Sequence, residues 1–316
     1  MTKKLTIRAI VYFAMLASAS AQYQGWRHSG SLYLLTTPEG ANLPATASEE
    51  NFPLLVRLNK EWFDFSQAKT NGDDIRFASA TGTPLAYQIE DWDAAKGTAS
   101  IWVRIPVIKG NARQEIKLYW GKADAAAESK GTSVFNESNG YVVAMHMSDP
   151  ANPAKDDVGT LTPKNVGTTA CLSATIGNGL HFDGKSGIEC GVNPAKFPTG
   201  SNPHSTEAWI RPFGGNHRII MWGFGSQPLG PIQLMYSNPP FHFWTDCWAS
   251  EASVSGASTF AMSQWYHVVH TYHKGEGRLY VNGVLDGTTT GGTPMNIATP
   301  EPMWIGVEYG RYFLGC

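Results

Sequence analysis

Charge is scarce in this chain. Only 16% of its 316 residues are Asp, Glu, Lys or Arg, and the formal net charge is -2. Beyond the N-terminus there is no cluster of Lys and Arg, so the electrostatic footprint that a nucleic acid demands is missing and that class of partner is set aside. Amphipathic helical periodicity is absent as well, which excludes a bundle or a parallel α/β sheet. After the first residues no apolar run approaches the roughly 20 positions a spanning helix needs. Cysteine is restricted to Cys171, Cys190, Cys247 and Cys316, all in the second half. With no C-x-x-C and no His pair at ligand spacing, zinc patterns are lacking, and structural disulfides or buried thiols are the expectation. Three pairings of the four are open.

What is plentiful is the material of short strands and tight turns: Gly 33, Pro 19 and Trp 11. The first residues carry an address. Lys3, Lys4 and Arg8 precede an apolar run from Ala9 to Ala17 and the small residues Ala19, Ser20 and Ala21, the layout of a signal peptide cleaved before Gln22. The expected location is outside the cytoplasm, secreted or in the periplasm or cell envelope of a bacterium, where disulfides persist. No Cys follows the cleavage point, so a lipid anchor there is not suggested.

From Ser31 the chain alternates between apolar and polar residues in runs ending near Thr36, Asn59, Ala78, Trp92, Val107 and Trp120. Within Ile101-Trp102-Val103-Arg104-Ile105 the odd residues face one way and the even ones the other, as in a half-buried strand. The expected fold class is all-β, with two β-sandwich domains in tandem. A first domain is placed at residues 22–122, a polar, small-residue linker at 123–139 and a second domain at 140–316. Tyr141 to Met147 is read as the second domain's first strand.

Phrases such as Phe52-Pro53-Leu54-Leu55-Val56, Tyr87-Gln88-Ile89-Glu90-Asp91-Trp92 and Leu118-Tyr119-Trp120-Gly121 resemble a family of secreted domains known only as a domain of unknown function. That resemblance implies a β-sandwich and brings no catalytic residues. Gly179-Leu180-His181-Phe182-Asp183-Gly184, Thr206-Glu207-Ala208-Trp209-Ile210, Trp265-Tyr266-His267-Val268-Val269 and Gly277-Arg278-Leu279-Tyr280-Val281-Asn282-Gly283 resemble the laminin-G-like jelly rolls of the concanavalin A superfamily. This second resemblance implies a module for glycans or proteins. The pair together is similar to ectodomains of planctomycete-type envelope proteins joined to biopolymer-transport proton channels. Stopping at Cys316, shortly after Gly310-Arg311-Tyr312-Phe313, the chain reads as a C-terminally truncated jelly roll with an unpaired edge.

Concanavalin-like folds also host glycoside hydrolases, which need two facing carboxylates. No Glu-x-Asp-x-Glu strand occurs in the second domain. In the densest acidic cluster, Glu90-Asp91-Trp92-Asp93, alternation sends Glu90 and Asp91 to opposite faces. Catalysis is therefore not expected, and no catalytic residue is assigned. Calcium prefers hard oxygen ligands. Asp183 is the first residue to test for it, ahead of Asp149, Asp156 and Asp157, although turn Asp residues commonly cap local backbone. His146, His267 and His270 read as packed strand residues, and the face shared by Trp265, His267 and Val269 as buried.

The ligand face is expected in the most aromatic stretch. Phe241, Phe243, Thr245 and Cys247 face inward there, leaving His242, Trp244, Asp246 and Trp248 on the outer surface. Indoles offer flat apolar platforms to sugar rings while His and Asp hydrogen-bond hydroxyls. The expected function is non-catalytic binding or adhesion, with an extracellular polysaccharide or glycoprotein as partner. The alternatives are an envelope scaffold or sensor, and a hydrolase. Mass spectrometry of exported protein should find Gln22 as the first residue. An intact Met1 on exported material would refute the signal peptide.

Overall fold

The computed structural model describes residues 22–149, 151–193, 195–214, 217–225, 232–236, 242–247, 253–289, 294–299, 302–308 and 311–316. Two compact units divide the chain, one ending at Tyr141 and one spanning Val142–Cys316. The all-β expectation holds in both.

The first unit contains β1 (His28–Leu35), β2 (Ser48–Asn59), β3 (Arg76–Ser79), β4 (Pro84–Leu85), β5 (Tyr87–Asp93), β6 (Thr98–Lys109) and β7 (Arg113–Trp120). Sheets of order β1-β7-β3-β4 and β2-β6-β5 form, all pairs antiparallel. Ile101 and Val103 are wholly buried on β6 while Trp102 and Arg104 are half-buried, so the pleat sorts side chains as the alternation implied. Ile75, Phe77, Leu118, Leu58 and Phe63 complete this core. A bulge between Ile89 and Asp91 interrupts β5, so strict alternation fails at Glu90. That carboxylate accepts from the Trp102 indole N–H.

Residues 123–139 are not a free linker. They hold a one-turn helix, α1 (Gly131–Val134), and a 3-10 turn at Glu137–Asn139, and Val134 and Phe135 are 0% and 4% exposed. Those apolar side chains lie at the end of a segment whose composition looked uniformly polar and small. Arg76, itself buried, stitches the segment down: its guanidinium pairs with Glu128 at 2.9 Å and donates to the Ala126 carbonyl at 2.7 Å. The Ser129 hydroxyl accepts from Ile89 N–H, and Lys130 N–H donates to the Tyr87 carbonyl. Burying Val134 and Phe135 contributes on the order of 2–3 kcal/mol each.

The second unit begins without a strand. Residues 141–147 are irregular, because Ala144 N–H is taken by the Asp156 carboxylate and its carbonyl by Asp157 N–H, which leaves no ladder partner. Its strands are β8 (Lys164–Val166), β9 (Thr169–Cys171), β10 (Gly179–Asp183), β11 (Gly187–Gly191), β12 (His204–Ile210), β13 (His217–Trp222), β14 (Phe224–Gly225), β15 (Ile232–Tyr236) and β16 (Phe243–Cys247). After these come β17 (Tyr266–His273), β18 (Glu276–Val281), β19 (Val284–Thr289), β20 (Ile297–Thr299), β21 (Met303–Ile305), β22 (Val307–Glu308), β23 (Arg311–Tyr312) and β24 (Leu314–Gly315).

One sheet has the order β16-β15-β13-β21-β11-β8, and another β12-β17-β18-β19. Between them lies a core that includes Ile188, Leu234, Tyr236, Phe243, Val268, Tyr272 and Leu279. β18 turns into β19 through Asn282 and Gly283, both at positive φ (51° and 79°), the signature of the tight hairpin that an Asn-Gly pair favours. The C-terminal residues are paired on both sides. Leu314 and Gly315 lie against Asp183 and Phe182 of β10, and Cys316 exchanges two backbone hydrogen bonds with Arg211.

One core residue is out of keeping with its surroundings. His270, inward on β17, is 1% exposed and neither ring nitrogen has a hydrogen-bond partner. Burial, reinforced by His204 nearby, pushes its pKa down to about 3. An unfolded imidazole takes up its proton near pH 6.5, so between those values the unfolded chain binds the extra proton. The folded pKa is depressed. Stability is therefore complete above pH 6.5 and falls as pH is lowered toward 3. Denaturant melts should show the second unit roughly 2–3 kcal/mol weaker at about pH 4.5 than at pH 7 from this group. In His270→Gln this contribution should vanish and leave the smaller dependence from His146 and His204, whose pKa values burial also lowers; an undiminished dependence would assign it elsewhere.

Candidate functional site

β16 carries the expected ligand face. Phe243 and Thr245 are 1% and 0% exposed, with the Thr245 hydroxyl accepting from Val254 N–H, and His242 is half-buried. Trp244 stands opposite Met235, Asp246 opposite Gln233 and Cys247 opposite Ile232, on the edge strand of the six-stranded sheet. The side chains of Trp244, Asp246 and Cys247, and all of Phe241 and Trp248, lie outside the described residues.

A second face emerges on the opposite sheet. Pairing aligns Trp209 with His267, Glu207 with Val269 and Thr206 with His270 across β12 and β17. Val268, His270 and Tyr272 point into the core, so Trp265, His267 and Val269 point out. The buried face expected for those three is instead the other set of β17. Trp209 is 43% exposed, and its ring stacks on that of His267 with centroids 5.0 Å apart and planes at 23°. The Glu207 carboxylate lies 3.2 Å from His267 Nε2. Val269 is followed across the sheet by Tyr280 and then Leu285, which is 51% exposed. The open surface thus combines a flat indole, an imidazole and a carboxylate with further apolar area.

Sequence reasoning passed over Trp209 and Glu207, although the alternation in Thr206-Glu207-Ala208-Trp209-Ile210 already separated them from Ala208 and Ile210. Of the histidines, His270 is packed as expected, and His146 is packed but lies in irregular chain, beside Asp157 at 3.5 Å, with burial lowering its pKa. His267 belongs to the open face.

The loop carboxylates serve the backbone. Asp156, buried, accepts from the N–H groups of Ala144, Val158, Thr160 and Leu161 at 2.8–3.1 Å. Asp149 accepts from Ala151 N–H, and Asp157 pairs with Lys155 at 2.7 Å. Asp183 is exposed at the end of β10 and accepts from Lys185 N–H at 2.9 Å; that bond and the Ser186 hydroxyl hold its pKa low. Among the described residues no three His, Cys, Asp or Glu side chains gather as a metal site. In the Glu90–Asp93 cluster, Asp93 is tied to Lys96 at 2.8 Å, and burial, then Asp93, raises the Asp91 pKa.

Cys171 and Cys316 form a disulfide across 145 residues of sequence. Cys190 is a buried free thiol whose pKa burial pushes up to about 12, an unreactive group.

Residues 182–316 match the family described as the Concanavalin A-like lectin/glucanases superfamily, and residues 71–141 match Domain of unknown function (DUF2341). The chain thus contains a concanavalin A-like, laminin G-type domain at residues 182–316 and a DUF2341 domain at residues 71–141. Domain 4 of an extracellular GH43 arabinanase from Geobacillus stearothermophilus, solved with arabinotriose, is 17% identical, with 51% of this chain and 81% of that chain covered and a TM-score of 0.40. For domains LG4-5 of the mouse laminin alpha1 chain the identity is 12%, the coverage 87% and 83%, and the TM-score 0.32. The carbohydrate binding module CBM66 from Bacillus subtilis is 16% identical over 45% of this chain and 90% of its own, with a TM-score of 0.25. No curated protein matches the chain. No described helix is long and apolar enough to cross a membrane.

Closing a loop of 145 residues removes enough freedom from the unfolded chain to stabilise the fold by about 2–5 kcal/mol. Cys316→Ser should lower the melting temperature of the second unit and leave that of the first unchanged by calorimetry. An unchanged second transition would show that the backbone pairing of the C-terminus holds without the bridge.

Proposed function

We propose that the protein is a non-catalytic binding or adhesion protein of the bacterial cell exterior, secreted or periplasmic, whose second unit holds carbohydrate. The observation that carries this reading is the open Trp209 indole stacked on His267 beside Glu207. An indole face matches the C–H face of a sugar ring, and a carboxylate and an imidazole hydrogen-bond its hydroxyls. The family description of residues 182–316 supports the same class of ligand.

His242, Trp244, Asp246 and Trp248 remain a second set of candidate ligand residues from the sequence; of them only the burial of His242 is described. Calcium at Asp183 would require ligands beyond its own carboxylate, whose described partners are backbone and Ser186. A scaffold or sensor role in a larger envelope assembly stays compatible with the same face, since a surface polymer can be its partner. Hydrolysis has less support, because Glu90 and Asp93 of the acidic cluster are engaged with Trp102 and Lys96.

Affinity electrophoresis through gels containing polysaccharides tests the reading. Trp209→Ala should lose retention at least about tenfold in affinity while stability changes by less than about 1 kcal/mol, because the ring is already half in water. Trp244→Ala and Trp248→Ala test the second set in the same way. Variants that lose roughly 3–5 kcal/mol instead would mark core tryptophans, and full retention by all three would remove both faces from consideration.

A further inference from the structure

We infer that the open face of β12 and β17 takes an anionic saccharide, its carboxylate or sulfate ester held by Arg211; this rests on the carbohydrate reading above and narrows it to acidic chains. Arg211 follows Trp209 by two residues, and its backbone continues the line of β12 by pairing with Cys316 through hydrogen bonds of 2.7 and 3.0 Å. Alternation therefore puts Glu207, Trp209 and Arg211 in one row, with Trp265 and His267 in the row alongside. The contacts agree. The guanidinium lies 5.4 Å from the Trp265 ring centroid and 5.1 Å from that of Phe213.

Arg211 combines the lack of a described counter-charge with a buried guanidinium nitrogen that has no hydrogen-bond partner. Arg76 pairs with Glu128 at 2.9 Å and Arg278 with Glu276 at 2.7 Å. No described carboxylate pairs with Arg211. Its nearest acidic neighbour in the row, Glu207, is committed to His267 at 3.2 Å. The polar contacts of the guanidinium are weak ones, from Nη2 to the sulfurs of Cys171 and Cys316 at 3.7 and 3.6 Å, and Nε is buried with no hydrogen-bond partner. A cation that is partly withdrawn from water and left uncompensated is costly, and an incoming anion relieves that cost.

The surroundings also fix its position. Two aromatic rings and a disulfide confine the guanidinium, so little side-chain freedom is lost when a ligand arrives. A planar two-pronged donor suits a carboxylate or a sulfate ester, where a point charge would not distinguish geometry. Trp209 beside it supplies the stacking platform for the ring that bears the anion. The whole chain is slightly acidic, with a formal charge of -2, so an acidic polymer gains nothing from the protein's overall field, and its retention would trace to a local cation.

Affinity electrophoresis of the protein in gels with pectate, dextran sulfate or neutral pullulan decides the matter. The expectation is retention by pectate, dextran sulfate or both, and weaker retention by pullulan. Arg211→Gln keeps the stem and removes the charge. It should weaken retention by the anionic gels about tenfold or more, without changing retention by pullulan. The pectate and dextran sulfate arms tell a carboxylate from a sulfate ester. Should Arg211→Gln not fold, Arg211→Lys, which keeps charge and stem but not the fork, replaces it and should weaken anionic retention several-fold. Anionic retention equal to wild type in the folded variant overturns the role of Arg211. Equal retention by all three gels, abolished by Trp209→Ala, overturns the acidic preference and leaves the carbohydrate reading intact. Retention by no gel, or retention untouched by Trp209→Ala, overturns the carbohydrate reading of this face itself.

Discussion

The antiparallel register of β12 against β17 is the constraint on which both the core and the proposed site depend. Because successive residues of a strand face opposite ways, one pairing scheme sends Ile210, Val268 and His270 inward and Glu207, Trp209 and His267 outward. A shift of one residue would exchange the two sets, putting an indole and a carboxylate into the core and exposing the apolar row. The core therefore enforces the site. Replacing a core residue of β17 risks the alignment of Trp209 on His267, whereas replacing Trp209 leaves the core as it is.

Two buried or half-buried arginines show how environment decides what a guanidinium does. Arg76 has Glu128, Tyr87 and three carbonyls around it and is a fastener for residues 123–139. Arg211 has sulfurs and rings around it instead. The same disulfide that secures Cys316 beside β12 also forms one wall of the Arg211 environment. In this way the closing of the sandwich and the shaping of the proposed anion site use the same residues.

The parts of the fold that repeat at short range were legible in the chain. Alternation in Ile101 to Ile105 and the Asn282-Gly283 turn are local signals, readable without knowing what lies across the sheet. Long-range features were not. Nothing local in Tyr141 to Met147 says that a carboxylate at Asp156 will take the Ala144 N–H, so a run with strand composition stays irregular. Residues 123–139 looked featureless because their anchor, Arg76, sits some 50 positions earlier. Which face of Trp265-Tyr266-His267-Val268-Val269 is buried depends on the partner strand, and the periodicity of one strand alone cannot decide between its two sides. The aromatic density near Trp244 drew attention to β16, while the isolated Trp209 became conspicuous only once His267 stood beside it.

Nitrogen-15 NMR of the protein tests most directly whether the β12–β17 face is the binding surface. With indole N–H resonances assigned through Trp→Phe variants, short pectate and pullulan oligomers are titrated in turn. Saturable shifts of Trp209 and Trp265 are expected, with Trp102, whose N–H is bound to Glu90, unmoved. Shifts confined to Trp244 and Trp248, with Trp209 and Trp265 unaffected by a ligand that demonstrably binds, would contradict the account.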